Sequence, residues 1–296
     1  MDNIATVGFS IVKKVSAPRF DPEKLSIYTL SIQIGIVDMQ VCVMNRQTSR
    51  CLLLEDYRFE NVRTVKDRLS AVQQIFSKHK YLSSQEWGTV KLSLKTHKFS
   101  LVPAAYFISE NSSDYLTLNA DLNPKIEDIF YYRHISTDAV NLFAVDRKLV
   151  NFVREHFVKK QVQILSQASA FIEGTLQHDD HTNEKTMFCL VDKGILHVLV
   201  SQNQKLTYYN QFAVRKNEDY LKYIMQVFQD GKLKPKTSRV IIWGGVRPNS
   251  QVIELLKKYI KNISLGSKPG YLKFDEELHE LPDQQYFDAY SIFLCE

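Results

Sequence analysis

The tripeptide Asp192-Lys193-Gly194, inside "LVDKGILHVLV" (190–200), has the make-up of a phosphate clasp. Glycine lets backbone approach a nucleotide closely, and a carboxylate can hold a hydrated magnesium ion. Asp and Gly are also what the corner of a β-hairpin takes, so the tripeptide alone leaves both readings open. Gly244-Gly245 in "IIWGGVRP" poses the same choice. Glycines between a strand and a helix admit a ligand to the first helical amides, or they merely permit a tight turn. "HDDH" (His178 to His181) holds four metal-ligand types in a row, but contiguous ligands suit a closed metal shell poorly and solvated charge is expected. "FYYRH" (130–134) offers aromatic faces for nucleic-acid stacking. On a strand those residues alternate between faces, so an edge strand packed on one side is the expectation. His79, His97, His134, His156, His197 and His279 adjoin no Ser or Cys nucleophile in a recognisable pattern, and neither GxSxG nor a P-loop occurs, which sets aside serine-hydrolase and P-loop chemistry.

The chain that must position these residues has 296 of them, enough for two domains with separate cores. It is 44% apolar and 24% charged, which argues against long disorder. The net charge of +5 is scattered in pairs such as Lys13-Lys14 and Lys257-Lys258, so nucleic acid is not an expected partner. No stretch approaches the roughly 20 apolar residues of a membrane span. "MDNIATVGFSIVKKV" is no secretory signal. Cys42, Cys51, Cys189 and Cys295 show no CxxC spacing. Cys42 and Cys51 fall on either side of a hairpin turning near Arg46-Gln47, but buried reduced thiols in a cytoplasmic chain are the expectation.

From Tyr28 the pattern predicts three strands, "YTLSIQIG", "MQVCVMN" and "CLLLEDYRF". A helix follows in "VRTVKDRLSAVQQIFSKH", then a strand in "TVKLSLKT". The second half repeats this order: "TMFCLVDKG", "ILHVLVSQ" and "KLTYYNQFAV", then the helix "NEDYLKYIMQVFQD" with Asn217 as its cap, then "SRVIIWGGV" and the helix "SQVIELLKKYI". "AVNLFAVD" (139–146) with "RKLVNFVREHF" reads as the first-half counterpart of that last strand and helix. Gly35 lines up with Gly194, and Val37, Met39 and Val41 with Leu196, Val198 and Val200. The duplication predicts an α/β fold of two βββαβαβ halves with a cleft between them. The halves are 1–178 and 184–296, with an insertion at about 98–137 that only the first half has. "SQASAFIEGTL" predicts a small-residue helix at the domain boundary, and 283–294 a matching one packing back at the junction.

This plan, with a glycine corner in each half, resembles the actin-like ATPase superfamily (ribonuclease H-like), which includes actin, sugar kinases and heat-shock chaperones. "LSIQIG", "FSLVPAAYF" and "QQYFDAY" look like an uncharacterised bacterial family of that fold, and the placement of the insertion is similar to that of the cell-division and pilus-assembly branch. The superfamily's first phosphate loop is Asp-x-Gly-Ser/Thr. Here it is Gln33-Ile34-Gly35-Ile36, an amide in place of the acid and an alkyl group in place of the hydroxyl. The second loop keeps Asp192 and Gly194 but has Ile195 where a hydroxyl is usual, and the base motif keeps Gly244 and Gly245. The second connecting helix carries Tyr286, Phe287 and Tyr290 where small residues dominate in active members.

The resemblance therefore implies a candidate nucleotide cleft of Gln33, Gly35, Asp192, Gly194, Gly244 and Gly245 without its main catalytic groups, and no catalytic residue or metal site. The expected function is a non-catalytic binding or scaffolding protein with an unidentified protein partner, no cofactor and no membrane insertion. The alternative is a weak ATP-binding switch, or an ATPase or kinase with ATP and magnesium, in which Gln33 orients water.

Overall fold

The computed structural model describes residues 6–179 and 183–296. Met1 to Ala5, Asp180, His181 and Thr182 lie outside them, so the second half of the "HDDH" motif does too. Chain order is β1 (Gly8–Ser16), β2 (Tyr28–Ile34), β3 (Asp38–Asn45), β4 (Arg50–Glu60), α1 (Val65–Lys78), β5 (Thr89–Leu94), β6 (Phe99–Pro103), α2 (Ser112–Thr117), β7 (Glu127–Arg133), β8 (Ala139–Asp146), α3 (Arg147–His156), β9 (Val162–Ser166) and α4 (Gln167–His178). The second half adds β10 (Thr186–Asp192), β11 (Ile195–Gln202), β12 (Lys205–Ala213), α5 (Asn217–Asp230), β13 (Val240–Gly244), α6 (Gln251–Lys257), β14 (Ile263–Leu265), α7 (Glu276–His279) and α8 (Phe287–Ser291).

Two sheets carry the halves, in the orders β1-β4-β3-β2-β5-β9 and β12-β11-β10-β13-β14. In each, the first long strand of the meander pairs parallel with the strand after the helix: β2 with β5, β10 with β13. The counterpart of β13 is thus β5, and "AVNLFAVD" is not. That strand, β8, is the middle of a separate three-stranded sheet, β6-β8-β7, so the inserted subdomain runs on to Asp146 rather than ending at about 137. A further difference is β1, an extra strand at the edge of the first sheet, paired with β4 across a bulge between Ile11 and Lys13. Its exposed lysines and its bulge are devices that blunt an edge. The "FYYRH" segment forms the edge strand β7, with Tyr132 buried and Tyr131 exposed.

Helix starts follow their caps. The Thr64 side chain accepts from Asp67 N (3.1 Å) and Asp67 accepts from Thr64 N (2.9 Å), which leaves Val62 outside α1. At α5 the cap is Lys216, one residue before Asn217, because Asp219 takes the backbone N–H groups of Arg215 (2.9 Å) and Lys216 (3.1 Å). The C-terminal helix is shorter than 283–294. Tyr286 adopts a left-handed φ of 63°, α8 covers five residues, and a 3₁₀ turn (Ile292–Leu294) follows.

The core of the first half also takes in side chains between Leu272 and Cys295 from the far end of the chain, and the second half has its own. A third core lies where Phe171 and Ile172 of α4 meet Phe188, Trp243 and Phe287, with a small fourth under the inserted sheet around Leu116 and Val140. Phe287 stacks on Trp243 at 4.0 Å. Gly174 of α4 is pressed against Ser291 of α8, and a methyl group there would overlap that side chain. Phe99 and Leu101 of β6 pack onto the same central core, and His97 Nδ1 lies 2.8 Å from Gln211 Oε1 of β12. The insertion thereby ties the first half to the second. All four cysteines are free and buried, and Cys42 stands opposite Leu54 rather than Cys51.

Candidate functional site

Asp192 and Gly194 are first of all the corner of the β10–β11 hairpin. Asp192 pairs with Ile195, and the two residues between, Lys193 (φ 42°) and Gly194 (φ 87°), both have positive φ. That is the two-residue turn whose twist matches a β-hairpin. The first-half hairpin has its corner at Ile36-Val37, closed by Gly35 N to Asp38 O (2.9 Å). Measured from the corners, Val37 stands where Gly194 does, so the alignment of Gly35 with Gly194 slips by two residues. Gly35 instead leaves room for the Asp38 carboxylate and the Lys95 side chain, both of which a methyl group would meet.

Lys95, just beyond the end of β5, reaches between the two hairpins. Its Nζ lies 2.7 Å from Asp38 Oδ2 and 2.8 Å from Asp192 Oδ2, with Asp38 buried and Lys95 and Asp192 largely so. Lys193 adds a second ammonium, 2.6 Å from Asp38 Oδ2. Burial works against the Lys95 charge, but the Asp192 and Asp38 carboxylates outweigh it and hold the ammonium above the usual lysine range. Burial likewise opposes the Asp192 charge, and Lys95 with the Gln167 hydrogen bond brings that carboxyl well below its ordinary value.

Amides complete the network. Gln33 Nε2 donates to Gln40 Oε1 (3.1 Å) and Asp288 Oδ2 (2.7 Å), and its Oε1 accepts from Ser93 Oγ (3.0 Å). Both N–H groups are spent within the protein. Gln167, at the start of α4, bridges Asp192 (2.7 Å) and Asp288 (2.8 Å). Gln40 joins Asp38 (3.0 Å) to Asp56 (3.3 Å), and Tyr286 Oη donates to Asp56 at 3.2 Å. Burial raises the carboxyls of Asp288 and Asp56 and favours their protonated forms.

The glycine pair is also committed. Gly244 N donates to Gln284 O (2.7 Å) and Gly245 N to Val191 O (2.9 Å), so neither amide faces a ligand. Of the candidate residues, Asp192, Gly244 and Gly245 line one remaining cavity of about 250 Å³, with Lys95, Lys193 and Arg58 on its walls. Asp38, Asp56, Lys95, Gln167 and Asp288 were not singled out by sequence reasoning. No local spacing marks them, since Lys95 and Asp38 are 57 positions apart and Gln33 and Asp288 are 255 apart. Among the described residues no group of three or more His, Cys, Asp or Glu side chains is placed to hold a metal ion, and no helix is long and apolar enough to cross a membrane.

Two buried groups nearby set a pH dependence. His197, on β11, has Nδ1 2.8 Å from Tyr209 Oη, and burial pushes its imidazole down to about 3. Glu55 would be raised by burial, but His79 (2.6 Å), Lys14 (2.8 Å) and Tyr57 bring it down to about 2. Both folded-state values lie below the unfolded ones. The His197 contribution is therefore complete above pH ~6.5 and is lost as pH falls from there, and the Glu55 contribution is lost below pH ~4.3. The raised carboxyls of Asp288 and Asp56 act in the opposite sense, so the His197 part is read as a difference. In denaturant unfolding from pH 7.5 to 4, wild type is expected to lose more stability between pH ~6.5 and ~4.5 than His197→Gln does. An unchanged slope in that variant would show that His197 takes up its proton in the folded state.

Residues 17–263 match the family model described as protein of unknown function (DUF3822). No curated protein matches the sequence significantly. Among solved structures, the fold is similar to a Bacteroides thetaiotaomicron protein with actin-like ATPase fold and unknown function, at 18% identity and a TM-score of 0.79, covering 94% of this chain and 99% of that one. It is also similar to the PilM–PilN type IV pilus biogenesis complex (12% identity, TM-score 0.57, 91% and 98% coverage). A third match is the ethanolamine utilization protein EutJ from Carboxydothermus hydrogenoformans (10%, 0.50, 95% and 93%). These identities speak for the fold alone, and the fold is that of the actin-like ATPases.

Proposed function

The chain belongs to the DUF3822 family of proteins of unknown function, and we propose that it acts without catalysis, as an actin-like binding or scaffolding protein whose nucleotide cleft is occupied by its own side chains. The observation that supports this reading is the Lys95 ammonium held between Asp38 and Asp192, where the hairpins of the two halves face each other. Phosphoryl transfer depends on positioning and on neutralising developing charge, largely with metal ions. Here a lysine already neutralises the acids that would hold a metal, and Gln33 is a poor ligand for one. The remaining 250 Å³ falls below the ~300–1,000 Å³ of ordinary ligand pockets.

A protein partner fits better. The PilM–PilN match is to a protein complex. Of fourteen exposed large apolar side chains among the described residues, six (Tyr106, Ile108, Leu118, Ile126, Tyr131 and Ile135) belong to the insertion, which supports it as the working surface. Titration calorimetry with Mg-ATP at millimolar nucleotide is expected to give no heat, and thermal unfolding no shift. A shift that disappears in Asp192→Ala would overturn the reading in favour of an ATP-binding switch.

A further inference from the structure

The cap over the inserted sheet, from Pro103 to Pro124, differs in charge from the rest of the chain. It contains Glu110, Asp114 and Asp121 but no lysine or arginine, in a protein whose net charge is +5. Leu116, Phe107 and Leu122 pack onto the core beneath it, but three of its apolar side chains are turned outward: Tyr106 is 74% exposed, Ile108 54% and Leu118 81%. Single exposed apolar residues need no explanation, but contiguous ones do.

These residues are held together. Tyr115 of α2 donates its hydroxyl to Tyr106 O (2.7 Å) and accepts from Ile108 N (3.3 Å), which staples the 106–108 segment to the helix. Phe107, between the two exposed residues, turns in against Tyr131 (4.9 Å) and Tyr115 (6.2 Å). Ser112 Oγ fixes the intervening turn on Ser109 O (2.6 Å). Leu118 follows Tyr115 by three positions and Asp114 by four, the spacings that put helical neighbours on one side. Among the described residues none of the three carboxylates has an ion-pair partner. The bases that do reach the lobe meet its main chain: Lys98 Nζ donates to Asp121 O (2.6 Å) and pairs with Glu127 (2.7 Å), and Arg147 donates to Pro124 O (2.8 Å).

We propose that this lobe is a docking surface for a segment of another protein that is both basic and apolar. Charge complementarity selects that partner, since nucleic acid, anionic membrane and acidic peptides are all repelled by the three carboxylates. The stapled loop presents Tyr106, Ile108 and Leu118 already ordered, which lowers the entropic cost of docking. The inference rests on the binding-protein reading above and names the chemistry of its partner.

The first test titrates fluorescent synthetic peptides into the full chain, one amphipathic in leucine and lysine and the other in leucine and glutamate, at ~0.15 M salt, where long-range attraction is screened. Two variants are compared, Tyr106→Ser/Ile108→Ser/Leu118→Ser and Glu110→Gln/Asp114→Asn/Asp121→Asn, each confirmed as folded by thermal unfolding. The leucine–lysine peptide is expected to bind and to lose about tenfold or more in affinity to each variant, the scale of hot-spot removal. Equal affinity for wild type and variants, equal binding of both peptides, or no binding would overturn the proposal. A photo-crosslinker at position 118 in living cells, with one at Tyr259 as control, identifies the natural occupant. Crosslinks to a basic, apolar segment of another protein support the surface. Crosslinks to copies of this chain, to acidic segments or to nucleic acid, or none above the control, refute it. Neither measurement involves nucleotide, so its failure is distinguishable from a positive result with Mg-ATP.

Discussion

Lys95→Met is expected to lower the unfolding free energy by about 3–5 kcal/mol, the cost of removing one partner from a buried ion pair. The size follows from what stays behind. Asp38 retains Lys193 at 2.6 Å and Gln40 at 3.0 Å. Among the described residues Asp192 retains only the Gln167 amide, to which Asp288 is also bound. The orphan is therefore Asp192, and a second change, Asp192→Asn, should recover more of the loss than Asp38→Asn does. Denaturant unfolding at pH 7 of the single and double variants measures this coupling directly. A loss below ~1 kcal/mol would mean that Lys95 behaves as a surface ion pair and that the cleft is wet.

Gly244→Ala is expected to be nearly as damaging, at about 3 kcal/mol or more, whereas Gly245→Ala should stay within ~0.5 kcal/mol. Gly244 has φ 103°, a conformation that side chains rarely adopt, and a methyl group there would overlap the main chain of Val191. No rotamer change relieves a clash with backbone. At Gly245 the nearest atom to such a methyl group is Val191 O at 3.8 Å, an ordinary contact. Thermal unfolding of the two variants separates the explanations for the pair. Equal tolerance of both would return the pair to the role of a ligand cradle, and the predicted asymmetry makes Gly244 a requirement of the strand's own neighbour.

The same contrast shows where sequence reasoning reached. Helix α5 falls on 217–230 and α4 lies within "SQASAFIEGTL" and the two residues after it, because periodicity acts within one or two turns of chain, although the α5 cap is Lys216 and not Asn217. The β10–β11 corner was legible for the same reason. The strand β1 escaped notice because an edge strand carrying "VKK" has one solvated side and little alternation. Gly35 was matched to Gly194 because a slip of two residues keeps every side chain on its own face, so the apolar pattern fits either register. Placing β8 in the wrong sheet has a similar origin, since which strand becomes a parallel neighbour is a matter of long connections.

The sequence by itself determined most of the elements and their order. It left Asp192 and Gly194 suspended between clasp and turn. Only the tertiary structure decided that they are a turn whose carboxylate is already taken. That decision depends on Lys95, Gln167 and Asp288, which come from the loop after β5, from α4 and from α8 and meet nowhere along the chain. Hydrogen bonding along a helix or hairpin is local, but the pairing of buried charges is settled by whichever groups the packed halves bring within 3 Å, and that distance is a property of the fold.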